Sequence, residues 1–368
     1  MENKTNSTLE NNSAIQAQRK MILKGLTLEE LKNYFVSKGL QKFRGEQFFY
    51  WMYNHLCTNI DEMSNIPKTI RAEVRDEIEL QTLAYLYSEE SAASKTKKYI
   101  FITKDNHKIE SVIIPEFART TLCISTQVGC PLDCKFCATG LMGYKRNLSA
   151  GEIFDQFMLT SKDFGKDKLT NIVYMGMGEP LLNYQSTINS LKIFSNELTK
   201  GMSIKKITVS TAGIAPKIRE LADSGINVKI ALSLHSCFEE MRSKLMPINQ
   251  KYSLKENLMA VRYYAKKTNT RITFEYIMLK NLNDTDEDIN ALAKICKEIP
   301  SKINIIPFNS LSHMNPTGFS GKLESSSRER IETFAQKLRD KNITVMVRHT
   351  QGDDIAAACG QLAIKVQQ

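Results

Sequence analysis

Cys130, Cys134 and Cys137 place three thiols in eight residues, within Gly129-Cys130-Pro131-Leu132-Asp133-Cys134-Lys135-Phe136-Cys137. Thiolates at C-x3-C-x2-C spacing can converge on one inorganic centre. A closed structural zinc site wants four protein ligands, and so does a conventional iron–sulfur cluster. The run itself offers no fourth Cys or His. The run therefore reads in two ways. It is a zinc knuckle with a distant fourth ligand, or it holds a 4Fe-4S cubane with one iron left open to a substrate.

Other residues have types and neighbours suited to chemistry. In Gly176-Met177-Gly178-Glu179 the glycines let backbone approach a ligand closely, and Glu179 can accept from a ligand amine. Alone, such a run is equally a strand-to-helix turn. His235 follows Ser233 and Leu234 at the end of an apolar run. Cys359 sits in the glycine-flanked segment Ala358-Cys359-Gly360, where a mobile thiol can reach a nearby site. Cys123 lies just ahead of the triplet. Cys57, Cys237 and Cys296 read as small core hydrophobes.

These groups need elements to position them. From Leu122 onward apolar strands alternate with amphipathic helical stretches. The expected strands are Thr121–Thr126, Asn171–Met175, Lys206–Thr211, Asn227–Ser233, Arg271–Met278, Lys302–Phe308 and Ile343–His349. Alternation of this kind predicts a parallel sheet with right-handed crossovers. Six such units predict an α/β fold with a partial (β/α)6-type barrel. Most motifs fall at strand ends, the side on which parallel barrels build their chemistry. Upstream, Leu26 to about Leu80 reads as helical, with Thr27 and Glu30 as a capping box and Phe48, Phe49, Trp51 and Met52 as core. Lys98–Ile102 and Ile109–Ile114 predict a hairpin around Asp105-Asn106. The expected organisation is a leader over 1–25, a small helical domain over 26–95, a β-hairpin linker over 96–120, the barrel over 121–350 and a C-terminal segment over 351–368.

The polar N-terminal run, Met1 to Gln18, has no apolar core and reads as a disordered leader rather than a signal peptide. No stretch approaches the roughly 20 apolar residues that span a membrane. Eight cysteines without a secretory signal indicate reduced thiols in a cytoplasmic protein. The net charge is +10. Residues 1–120 carry 17 Lys+Arg against 16 Asp+Glu, so +9 of the excess lies on the part that bears the cysteines. That distribution suits a polyanionic partner.

Several motifs, all in one order, resemble the radical S-adenosylmethionine (SAM) RNA methyltransferases that act on carbon 2 of adenine. They are Cys123–Cys130, Gly176–Asn183, Ser210–Gly213, Ser233–Ser236, Lys244–Asn249, Pro307–Asn309 and Gly352–Leu362. The resemblance runs from about Leu26 to Leu362. It implies a radical-SAM partial barrel with an RNA-contacting helical domain. It implies a 4Fe-4S cluster on Cys130, Cys134 and Cys137, and SAM held by Gly178, Glu179, Ser210, Ser233, Leu234, His235 and Asn309. Two SAM molecules would serve each turnover. Cys359 would become S-methylcysteine, a 5′-deoxyadenosyl radical would take a hydrogen from that methyl, and the resulting carbon radical would add to the adenine. Cys123 would then release the product through a transient disulfide with Cys359, with Glu110 as candidate proton acceptor. The implied partners are 23S ribosomal RNA at the peptidyl transferase centre, transfer RNA beside the anticodon, and an electron donor such as flavodoxin or ferredoxin. The expected state is a monomer with no membrane association. The family pattern has a basic residue before Gly352-Asp353-Asp354, where this chain has Gln351. The sister group, which methylates carbon 8 of adenine, is the alternative. Gln127-Val128-Gly129 and Pro180-Leu181-Leu182-Asn183 look like the carbon-2 enzymes.

Overall fold

The computed structural model describes residues 20–199 and 201–363. The polar run Met1 to Gln18, expected as a leader, lies outside the described residues. β1 (Met21–Ile22), α1 (Leu28–Ser37), α2 (Phe43–Tyr53), α3 (Lys68–Arg75) and β2 (Ile78–Glu79) build the N-terminal unit. Thr27 and Glu30 cap α1 reciprocally, as the sequence predicts. Phe48, Phe49 and Met52 are fully buried, and Phe35 stacks on Phe48 with centroids 4.4 Å apart. Trp51 is half-buried and donates to Asn65 instead.

The expected leader boundary at residue 25 is too late. β1 pairs in parallel with β2, and Leu23 and Lys24 are buried. The Lys24 ammonium lies 3.5 Å from Asp155, with both side chains fully buried, and donates to Met52 O at 3.1 Å. Desolvation lowers the Lys24 pKa, and the paired carboxylate opposes that shift. Asp155 also accepts from Thr82 N at 2.6 Å. Because Asp155 belongs to the barrel, this buried pair fastens the N-terminal unit to it.

β3 (Leu83–Glu90), β4 (Lys97–Thr103), β5 (Lys108–Glu116) and β6 (Arg119–Cys123) form an antiparallel run. β3 corrects the expectation that residues 26–95 are helical. Its Ala, Leu and Glu favour helix, but pairing with β4 decides the outcome. The hairpin around Asp105-Asn106 is present. It is not a separate linker, since β5 pairs with β4 on one side and β6 on the other.

The chain continues through β7 (Gln127–Gly129), α4 (Ala138–Leu141), β8 (Tyr144–Asn147), α5 (Ala150–Phe164), β9 (Asn171–Tyr174), α6 (Tyr184–Phe194), β10 (Ile207–Thr211), α7 (Ala215–Asp223) and β11 (Lys229–Ser233). Then follow α8 (Glu239–Leu245), α9 (Leu254–Thr268), β12 (Ile272–Met278), α10 (Asp286–Glu298), β13 (Ser301–Pro307), α11 (Arg328–Arg339) and β14 (Val345–Val347). The sheet order is β3-β4-β5-β6-β9-β10-β11-β12-β13-β14, parallel from β6 onward. Six crossovers join the parallel strands, and the sheet remains open at β3 and β14, so the partial barrel is as expected. The first strand stops at Cys123 rather than Thr126 because the chain leaves to pair β7 with β8.

One sheet face is apolar. Tyr174, Val209, Ile230, Leu232, Phe274, Tyr276, Ile303 and Ile305 are buried in a common core with helix residues, and Tyr276 stacks on Phe334 of α11. Alternation turns Cys123, Ser210, Ser233, Glu275 and Asn304 to the other face, the barrel interior. No helix among the described residues is long and apolar enough to cross a membrane.

Candidate active site

The three clustered cysteines occupy the loop between β7 and α4. Gly129 turns into it at φ 74°, and a Cβ there would lie 1.9 Å from Gly143 O. Burial pushes the Cys130 thiol up to about 12, with Cys137 adding to the shift. Cys134 rises under burial and the proximity of both Cys137 and Cys130. Three thiols this dry and this close become thiolates only when a cationic centre joins them.

The charge of such a centre is offset from one side. Arg242 on α8 is fully buried and lies near Cys134, where its charge favours the thiolate. Its guanidinium donates to Ala212 O at 2.6 Å, Ser233 O at 3.0 Å and Leu234 O at 3.1 Å, and to Asn249 Oδ1. One side chain thus ties together the ends of β10 and β11. Burial lowers its pKa to about 10, which leaves it charged at neutral pH. Ser210 and Ser233, at those strand ends, are half-buried, and Leu234 is fully buried.

The glycine run follows β9. Gly178 has φ 99°, and a Cβ there would meet Gln127 Cβ at 2.5 Å. Gln127 Oε1 in turn accepts from Glu179 N at 2.8 Å. Glu179 is buried, and its oxygens accept from Ala212 N at 2.7 Å and Leu181 N at 3.0 Å. Desolvation raises its pKa to about 7 against these bonds. The carboxyl is oriented toward the strand ends, with lone pairs left for an amine. Gly178→Ala is expected to weaken SAM binding roughly tenfold or more, at the cost of a strained non-glycine residue. A SAM-binding isotherm checks this, and unchanged affinity contradicts it.

His235 takes the left-handed conformation at φ 56°. Its Nδ1 accepts from Ile277 N at 3.1 Å, and its ring meets Phe136, between two of the cysteines, edge-on at 4.6 Å. Desolvation, then the Arg242 charge, lowers its pKa to about 3. It is therefore a neutral ring with Nε2–H as donor, set against the cysteine loop.

The segment carrying Cys359 is stitched over this loop. Ala138 N donates to Gly360 O at 2.7 Å, and Thr139 Oγ1 to Leu362 O at 2.6 Å. Asn309 Nδ2 donates to Cys359 O at 3.0 Å, while its Oδ1 accepts from Thr350 at 2.9 Å. The Asn309 amide, expected among the SAM contacts, also holds the Cys359 carbonyl. The Cys359 residue is exposed. Desolvation raises its thiol, Glu275 adds to that, and Arg348 opposes it. Cys123 is buried, and its thiol is pushed up by burial and then by Cys359. Cys359, remote in sequence, thus acts electrostatically on Cys123. Gln351 is half-buried, and its Oε1 has no hydrogen-bond partner among the described residues.

Glu110 lies under the same segment. It is 2% exposed, and its Oε1 is 3.6 Å from Lys98 Nζ. Lys98 also donates to Ile355 O at 2.7 Å. Desolvation raises the Glu110 pKa to about 7 even though Lys98 opposes it. Its Oε2 is buried without a hydrogen-bond partner among the described residues. Sequence reading missed Lys98, Gln127, Arg242, Glu275 and Asn304. For Glu275 a signal existed: one carboxylate at an inward position of an otherwise apolar strand.

Two family models match the chain. That of the radical SAM superfamily covers residues 124–294. That of the ribosomal RNA large subunit methyltransferase N-terminal domain covers residues 21–80. A probable dual-specificity RNA methyltransferase RlmN of Thermotoga neapolitana is 42% identical over 92% of this chain and 96% of its own. The dual-specificity RNA methyltransferase RlmN of Pelobacter propionicus is 41% identical over 94% of this chain and 96% of its own. A crystal structure of a radical SAM methyltransferase from Sphaerobacter thermophilus is 38% identical and superposes with a TM-score of 0.85 over 93% of this chain and 98% of that one.

Proposed function

From its membership of the RlmN family of SAM-dependent RNA methyltransferases, to which this chain belongs, we propose that it methylates carbon 2 of a specific adenosine in 23S ribosomal RNA and in transfer RNA. The family implies a 4Fe-4S cluster and SAM. When bound, the cluster supplies the electron that cleaves SAM. The observation that carries the reading is the Cys359 segment, fastened at Ala138 and Thr139 to the cysteine loop, with its thiol acting electrostatically on Cys123. Carbon 2 is electron-poor, so it is a poor nucleophile toward SAM and needs a radical route.

Cys359 Sγ carries one methyl group, which gives one hydrogen atom to the 5′-deoxyadenosyl radical and meets the base as a carbon radical. Two SAM molecules are used per turnover, one for the methyl and one for the radical. Glu110 takes the proton from carbon 2 as the adduct gives up its unpaired electron, which a cluster held by Cys130, Cys134 and Cys137 would accept. Cys123 attacks the Cys359 sulfur, and the S–C bond breaks with its electron pair left on the carbon, which takes up a proton and becomes the methyl. A Cys123–Cys359 disulfide remains and is reduced by an external thiol before the next turnover. Gly178, Glu179, Ser210, Ser233, Leu234, His235 and Asn309 hold SAM, and the basic excess after residue 120 meets RNA phosphates.

The test is anaerobic incubation of the iron-loaded enzyme with SAM, reductant and RNA, followed by position-resolved mass spectrometry of the product base. A 2-methyladenine product supports the reading, and an 8-methyladenine product overturns it. The Glu110 role has its own check. A carboxyl raised to about 7 is mostly protonated at pH 6 and mostly ionised at pH 8. The single-turnover rate of RNA release should therefore rise about tenfold across that range. Glu110→Gln should remove the rise. A profile unchanged by the substitution contradicts the assignment.

A further inference from the structure

β12 and β13 pair in register, Glu275 with Asn304 and Ile277 with Ile306. Phe274, Tyr276, Ile303 and Ile305 of the same strands are fully buried in the core shared with the helices. Glu275 and Asn304 therefore project to the opposite face, into the barrel interior. They are 5% and 3% exposed. Asn304 Nδ2 donates to Glu275 Oε1 at 2.9 Å. Asn304 Oδ1 is buried with no hydrogen-bond partner among the described residues. Leu234 N and His235 N of the site donate to the Glu275 carbonyl at 3.0 and 3.3 Å, and the Glu275 carboxylate acts electrostatically on the Cys359 thiol.

A buried amide oxygen left unpaired is costly. Its side chain fits a ligand that brings an N–H donor to the interior. Glu275 also fixes the amide: a flip would turn Oδ1 toward the carboxylate. We propose that Asn304 reads the exocyclic amine of the adenine delivered to Cys359, with Glu275 as its positioning residue. The inference rests on the adenine-methylation reading above. An amide matches adenine through two bonds, its oxygen accepting from N6–H and its nitrogen donating to N7. One Nδ2 hydrogen goes to Glu275 and the second remains for the base. Guanine would set its O6 acceptor against Oδ1 and be rejected. Contact on the N6/N7 edge also covers the approach to carbon 8 and leaves carbon 2 open.

The test is a double-substitution cycle. Target RNA is made with adenosine, or with purine riboside lacking the amine, at the methylated position. Each is given to wild type and to Asn304→Ala, and kcat/KM is compared. Wild type should lose roughly tenfold or more on the purine RNA. Asn304→Ala should treat both RNAs alike. An equal penalty for purine in both enzymes overturns the inference, as does a raised KM for SAM with unchanged RNA discrimination. If Asn304→Ala does not fold, Asn304→Val, which suits a strand, carries the same comparison. Failure of wild type to methylate the adenosine RNA would sink the parent reading, whereas methylation with additive penalties sinks only the role of Asn304.

Discussion

Replacing Cys134 by alanine is expected to lower 5′-deoxyadenosine release from SAM below detection and to strip the protein of most of its iron. Cys134 is the member of the triplet closest to both other thiols in electrostatic effect, and the one that Arg242 faces. His235, whose ring abuts the cysteine loop, cannot replace it through Nδ1, which already accepts from Ile277 N. With two thiols left, a cubane loses a second protein bond and has no substitute. Iron and sulfide assay of anaerobically purified protein, with product quantification, checks this. Full SAM cleavage by Cys134→Ala would show that the triplet does not hold the catalytic centre.

The second large effect is at Cys359. Cys359→Ala is expected to abolish RNA methylation altogether while the fold and the cysteine loop stay intact. The backbone of this segment, not its side chain, makes the contacts. Asn309 binds the Cys359 carbonyl, and Gly360 and Leu362 bind the loop. Removing that one sulfur therefore leaves the network unaltered. Methylated adenine in the RNA from Cys359→Ala, measured by mass spectrometry after digestion, contradicts the assignment.

Much of this site was legible in the sequence. The seven parallel strands follow from their apolar runs, and the capping box at Thr27 follows from the spacing to Glu30. The cysteine triplet and the glycine run mark themselves by residue type. What was not legible depends on pairing and on reach through space. Leu83–Glu90 carries helix-favouring residues and becomes a strand only because β4 lies beside it. Arg242 looks like one more surface cation on an amphipathic helix, yet it is fully buried and spans two strand ends. Asn309 sits in a motif expected to touch SAM, and its amide also holds a residue 50 positions away. Lys24 reads as part of a polar leader until Asp155 is seen opposite it. In each case the deciding partner is distant in the chain, and periodicity carries no information about it.

The central claim is that Cys359 carries the carbon to RNA and Cys123 releases it. The most direct measurement is a denaturing gel of labelled RNA after turnover with Cys123→Ala, Cys359→Ala and the double variant. The account predicts a protein–RNA adduct that survives denaturant for Cys123→Ala alone, with the link mapped to Cys359. Absence of an adduct from Cys123→Ala, or an adduct that persists when Cys359 is also replaced, would contradict it.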